Sequence, residues 1–274
     1  MSAHARFRSV RICVTRLKVC CSLAMVAQTD SYLFELCATS LGAVQAAQAA
    51  GAHRVELCVN LKAGGTTPPA ELIAAAIRAV HIPVHVLIRP RAGNFVYDTA
   101  EFAQMRREVE TCKAAGAAGV VLGLLHADGT VDVKRTRELV ELARPMRVTF
   151  HRAVDESAEM DTALEAVIAT GADCLLTSGG AANIALGAEQ LAHMVRAARG
   201  RIGILAGGGL KLGSLRQFLQ ATGVRMAHGS LGVSLDSGTE SELAERKLAL
   251  EAKIRATVRI LHELYAAETV ARSA

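Results

Sequence analysis

The chain has 274 residues, of which 51% are hydrophobic and 3% aromatic, with no Trp. That is length for one large domain or two small ones with a sizeable core, which excludes a disordered chain, and so few aromatics disfavour a stacking surface for nucleic acid. Of the 31 basic residues, Arg6, Arg8, Arg11, Arg16 and Lys18 precede the first acid, Asp30, so 26 remain against 26 acidic ones; the body is neutral and offers no electrostatic footprint for nucleic acid or an anionic membrane.

Residues 1–29 are basic and free of acid. Their apolar stretch, 12–27, is interrupted by Arg16 and Lys18, which spoils the uncharged core of a secretory signal and fits an organelle presequence better. The reading adopted is plainer: a basic N-terminal extension without fixed structure, with Met25 as the natural start and a single domain over 30–274. Cys20 and Cys21 are adjacent and lack the further Cys/His spacing of a zinc site. The seven cysteines are odd in number and scattered, which suits a reducing cytoplasm rather than a secreted disulfide scaffold. Apolar runs are short and broken by Gly and charge, so no membrane span is expected.

From there one grammar repeats: a helix end, a Gly stop and an aliphatic run. Gly51 precedes Val55-Glu56-Leu57-Cys58, Gly116 precedes Val120-Val121-Leu122-Gly123, Gly171 precedes Leu175-Leu176-Thr177-Ser178, and Gly223 precedes Met226-Ala227-His228-Gly229. Glycine takes the left-handed conformation that ends a helix, and the runs suit strands covered on one face. Further strands fall at 33–37, 84–89, 147–151 and 202–206, with helical patterns at 41–50, 71–80, 100–115 and 188–198. Eight strands alternating with helices over roughly 240 residues predict a (β/α)₈ TIM barrel. A doubly wound sheet would place a Gly-rich turn after an early strand, whereas Gly207-Gly208-Gly209 follows the seventh; no nucleotide cofactor is expected.

In a barrel, alternate residues face the interior, and those at the C-terminal strand ends reach the active-site mouth. This turns inward His85, Leu87, Arg89 and, past Pro90, Arg91 on the third strand, and Thr149 and His151 on the fifth. Glu35 with Cys37 and Glu56 with Cys58 share one side. Glu35, Glu56, His151 and Asp155 are the candidate acid–base groups; equally, Glu35 and Glu56 could be ion-pair partners of Arg89 and Arg91, and His151 a core histidine bonded to a neighbour. Arg89, Arg91, Arg152, Ser178, Gly207, Gly208, His228 and Ser230 are candidates for holding a small anion, since backbone N–H groups after the last two strands often surround a phosphate. Glycine loops also occur simply because turns require them.

Taken together, Arg54-Val55-Glu56-Leu57-Cys58, Gly64-Gly65-Thr66-Thr67-Pro68, Ile88-Arg89-Pro90-Arg91, Asp128-Gly129-Thr130-Val131-Asp132, Thr149-Phe150-His151-Arg152-Ala153-Val154-Asp155, Leu176-Thr177-Ser178-Gly179 and Ala206-Gly207-Gly208-Gly209 resemble the CutC copper homeostasis family over about 33–230. The resemblance implies a TIM barrel in the cytosol linked to copper handling, with Cu(I) bound at Cys37 and Cys58. Soft thiolates select Cu(I), and neighbouring strands about 4.8 Å apart can bring two sulfurs to one ion; two small buried hydrophobes are the alternative. The chain departs from the family pattern at Ala92-Gly93-Asn94, at His228-Gly229-Ser230 and in its basic N-terminus. Two classes of function follow: Cu(I) binding or trafficking, or an enzyme acting on a small phosphate- or carboxylate-bearing substrate at the mouth. A barrel that only scaffolds a homo-oligomer is a third.

Overall fold

The computed structural model describes residues 31–273. The basic segment, Cys20 and Cys21 lie outside the described residues. Eight parallel strands form one closed barrel: β1 Leu33–Ala38, β2 Arg54–Leu57, β3 Val84–Leu87, β4 Gly119–Leu122, β5 Arg147–Phe150, β6 Cys174–Thr177, β7 Gly203–Gly207 and β8 Met226–Gly229. Pairing of β1 with β8, Glu35 opposite His228, closes the ring. The helices are α1 Leu41–Ala49, α2 Ala70–Ala79, α3 Thr99–Ala115, α4 Val133–Ala143, α5 Met160–Thr170, α6 Ala188–Ala198, α7 Leu212–Thr222 and α8 Glu240–Ser273. Gly116, Gly171 and Gly223 end α3, α5 and α7 at positive φ, as the repeat required.

The core has two parts. Outward-facing Phe34, Val55, Val86, Val120, Val148 and Leu175 pack with the helices in one continuous layer. Inside the barrel, apolar contact shrinks to two small clusters, Cys37, Cys58, Leu87 and Val121 towards the mouth and Cys174, Leu176 and Leu205 towards the floor. The rest of the interior is polar, which is tolerable only where each group finds a partner.

Among the strands that stop earlier than the sequence suggests, β3 and β5 do so for identifiable reasons. β3 ends at Leu87 because the Arg89 N–H donates to the Thr67 hydroxyl (2.8 Å) instead of to the sheet, and Pro90 has no N–H to continue the ladder. β5 ends at Phe150, and His151 caps a 3₁₀ turn, Arg152–Glu156, its Nδ1 accepting from the Ala153 N–H. The sequence reading did not single out α8, whose 34 residues extend about 51 Å at the helical rise. Leu250, Ile254, Val258, Leu261 and Leu264 give it one buried stripe. Among the described residues no helix is long and apolar enough to cross a membrane.

Candidate functional site

A cavity of about 280 Å³ opens at the C-terminal ends of the strands. β1 and β2 each contribute a Glu-Leu-Cys ending, and parallel register sets Cys37 opposite Glu56. The Cys37 and Cys58 Sγ atoms consequently lie 3.7 Å apart, with Cys58 fully buried and Cys37 7% exposed. Contact with the Cys58 thiol and burial push the Cys37 pKa well up, so with nothing bound Cys37 is protonated. The Glu56 carboxylate joins them, the three candidate donor atoms all lying within 4.8 Å of one another.

Glu35 sits one layer deeper, and its partners are not those expected. Instead of Arg89 or Arg91 it accepts from Arg54 Nε (2.5 Å) and pairs with His228 Nδ1 (2.8 Å). Burial alone would raise its pKa, but the Arg54 charge and the His228 contact hold it well below the ordinary carboxylate range. Glu56 is compensated less: His228 Nδ1, 3.9 Å away, and Arg54 lower its pKa, but burial, with the neighbouring Glu35, outweighs them and pushes it up to about 7. Against its own burial, His228 is raised by Glu56 and Glu35. One ion-pair column thus runs from Arg54 at the floor through Glu35 and His228 to Glu56 at the mouth, and it leaves Glu56 able to exchange a proton near neutrality.

The arginines divide. Arg89, 5% exposed, lines the cavity, but its Nη1 donates to the Ala63 and Gly65 carbonyls and its Nη2 to that of Gly93. It pins the loop after β2 to the loop after β3, and Gly64 is required there because a Cβ would come within 2.9 Å of Nη1. Arg91 turns away from the cavity. It pairs with Glu101 in the first turn of α3 (2.5 Å) and bonds the Asn94 and Val96 carbonyls, because past Pro90 the chain has left the strand and its alternation no longer applies. Arg152 reaches the cavity lip with its side chain 42% exposed, Nε on Asp155 and Nη2 on the Ser178 hydroxyl.

His151 lines the cavity beside Phe95, ring centroids 4.9 Å apart. Its ring occupies the space a side chain on Gly123 would need, 2.5 Å from that Cβ. Burial, then Arg89, depresses its pKa to about 3, so it is neutral, and with Nδ1 accepting from Ala153 the proton is assigned to Nε2. Asp155 accepts from the Thr177 hydroxyl, the Ser178 and Gly180 N–H groups and Arg152. These bonds anchor the loop after β6 on Asp155, the sequence's fourth acid–base candidate. Ser178 is fully buried beneath Arg152. Gly208 and Ser230 line the cavity, and a Cβ at Gly208 would come within 3.2 Å of the Arg152 guanidinium. Gly207 is packed beneath them, where a Cβ would strike Leu176 at 2.5 Å.

Sequence reasoning missed Arg54, Gly123 and Phe95. Inward parity on β2 was the available signal for Arg54, two residues before Glu56; for Phe95, in a loop, there was none.

The CutC family model matches residues 32–233. The family protein CutC of Chromobacterium violaceum is 48% identical over 198 residues, covering 72% of this chain and 80% of that one. That of Vibrio cholerae serotype O1 is 45% identical over 199 residues, covering 72% and 78%. The crystal structure of CutC from Streptococcus agalactiae, provisionally described as a copper homeostasis protein, superposes with a TM-score of 0.69 at 32% identity over 73% of this chain and 98% of that one. On fold, sequence and matched span together, the chain belongs to the CutC family.

Proposed function

We propose that this protein serves copper homeostasis by binding Cu(I) through the Cys37 and Cys58 thiolates at the barrel mouth. The observation that carries this is the 3.7 Å separation of two sulfurs from different strands, since paired soft ligands are what Cu(I) selects. The two thiolates would hold the ion, and the neighbouring carboxylate would offer a third donor. Glu56 is within reach. Because Cys58 is wholly buried, the geometry favours holding the ion over handing it on. The copper-homeostasis description of the Streptococcus agalactiae relative supports the process, and four free, buried cysteines among the described residues suit the reducing cytoplasm. In an anaerobic competition titration we expect a Cu(I) site that is lost in Cys37→Ser and in Cys58→Ser and kept in Cys112→Ser and Cys174→Ser. Equal binding by the Cys37→Ser/Cys58→Ser double variant would overturn the reading.

A second reading, an enzyme acting on a small phosphate- or carboxylate-bearing substrate, is favoured by a separate observation. Three lining residues carry buried polar atoms without a hydrogen-bond partner: Glu56 Oε2, Arg89 Nε and His151 Nε2. A bound anion beside Arg152 would give the two nitrogens acceptors, and Glu56 would move the proton. Saturable binding of inorganic phosphate that is lost in Arg152→Ala would support this reading; no binding would remove it.

A further inference from the structure

The opposite end of the barrel, where interior residues usually serve stability alone, holds a second cavity of about 150 Å³. Three of the residues lining it, Arg54, His85 and Thr149, each keep a buried polar atom without a hydrogen-bond partner: Nη2, Nδ1 and Oγ1 respectively. His85 is 3% and Thr149 1% exposed, so bulk water does not satisfy them. The closest alternative partner is the Cys174 thiol, which lies against Arg54 and Thr149; burial pushes its pKa up to about 11, and a neutral thiol is a weak acceptor. Unpaired buried donors at this density ask for an occupant.

The chemistry of that occupant follows from the lining. Arg54 disfavours a cation, and Arg147 is paired with Asp173 (2.7 Å). Arg54 Nη2 and the Thr149 hydroxyl are both donors free to meet one acceptor group. His85, held neutral because burial and Arg54 lower its pKa to about 4, offers one ring nitrogen as donor or acceptor. Asp173, which is paired with Arg144 and Arg147, and Arg225 also line the cavity, and Leu33, Ile202 and Met226 supply an apolar wall. Glu35 already pairs with the single charge of Arg54, so little net positive charge is left at the floor, which disfavours a phosphate dianion and suits a singly charged head held by hydrogen bonds.

We propose that the barrel floor is a second ligand site, for a small monocarboxylate with a short aliphatic tail, its head on Arg54 and Thr149 and its tail along Leu33, Ile202 and Met226. The site is independent of the mouth in composition but not in position. Arg54 uses Nε to hold Glu35, which holds His228, so a ligand on Nη2 bears on the same guanidinium that sets the mouth column.

The test uses the full chain and butyrate as the probe, with n-butanol and chloride as controls, read by the imidazole NMR signals of His85 and His228. Butyrate should bind saturably and shift His85. Arg54→Lys, which keeps the charge beside Glu35 but removes Nη2, and Thr149→Val, which removes the hydroxyl without changing shape, should each weaken binding at least tenfold. Butanol and chloride should leave His85 unmoved. The site would be refuted by an absence of saturable butyrate binding, by equal binding of butanol, or by undiminished affinity in both variants; a shift at His85 with none at His228 would refute the link to the mouth. Both variants are near-isosteric, and their thermal midpoints verify that loss of binding is not loss of fold.

Discussion

The mouth and the floor of this barrel are built with the same device and put to different ends. Two glycines four residues apart, Gly119 at the start of β4 and Gly123 just past its end, each make room for a histidine ring: His85 fills the space at Gly119, and His151 that at Gly123. Each ring is neutral and keeps one nitrogen unpartnered. The difference lies in the arginines. At the floor, Arg54 spends its Nε on a buried carboxylate and so supplies the countercharge for Glu35 from below. At the mouth, Arg89 spends its guanidinium on three backbone carbonyls and neutralises nothing. Glu56 is consequently left undercompensated. Charge at the centre is fixed from the floor, and the mouth is free to titrate.

The sharpest way to break this comparison is to remove the floor cation. Arg54→Met should strand Glu35 as a buried, unpaired charge and cost about 3–5 kcal/mol in urea unfolding; a loss under about 1 kcal/mol would mean that Glu35 does not depend on it. Arg89→Met should cost less, about 2–3 kcal/mol, because it abandons carbonyls rather than a charge. Its effect should fall on the loop after β2, visible as faster amide exchange there. A cost equal to that of Arg54→Met would erase the distinction between the two ends.

Acid should separate them further. Buried His151 titrates near 3 in the folded state and near 6.5 when unfolded, so between these values the unfolded chain holds the extra proton and stability falls as pH falls. Relative to His151→Asn, which does not titrate, the folded protein should lose about 1.4 kcal/mol per pH unit from pH 6 down to pH 4. A difference that stayed constant with pH would show that His151 is charged in the fold. Smallest of all, Arg91→Ala should shift stability by no more than about 0.5–1 kcal/mol, because its ion pair with Glu101 is partly exposed.

What the sequence made legible was periodic. Gly stops at 116, 171 and 223 fixed the helix–strand units, and Glu-Leu-Cys at the ends of two early strands brought Cys37 to Cys58, as inward parity requires. Parity failed where the chain leaves the strand. Arg91 lies past Pro90, so counting in twos from Val84 no longer described it, and the side chain turned out to meet Glu101. Pairing was equally illegible. Glu35, Glu56, Arg54 and Arg89 permit several matchings, and the choice of Arg54 for Glu35 depends on the stagger between β1 and β2, which places Glu35 opposite Arg54. The notches at Gly119 and Gly123 look in a sequence like any other glycine beside a strand.

The closure of the ring between β1 and β8 sets a timetable for synthesis. Glu35 and His228 are 193 residues apart, and His228 leaves the ribosome only after seven strands have been made. Until then the nascent sheet has a raw edge at β1, whose Leu33, Phe34, Glu35 and Leu36 pair in the finished barrel with Met226, Ala227, His228 and Gly229. Contacts at this range are formed late and slowly. The column that governs protonation at the mouth is therefore completed only when the last strand docks, and an unfinished chain would leave Glu35 without its histidine.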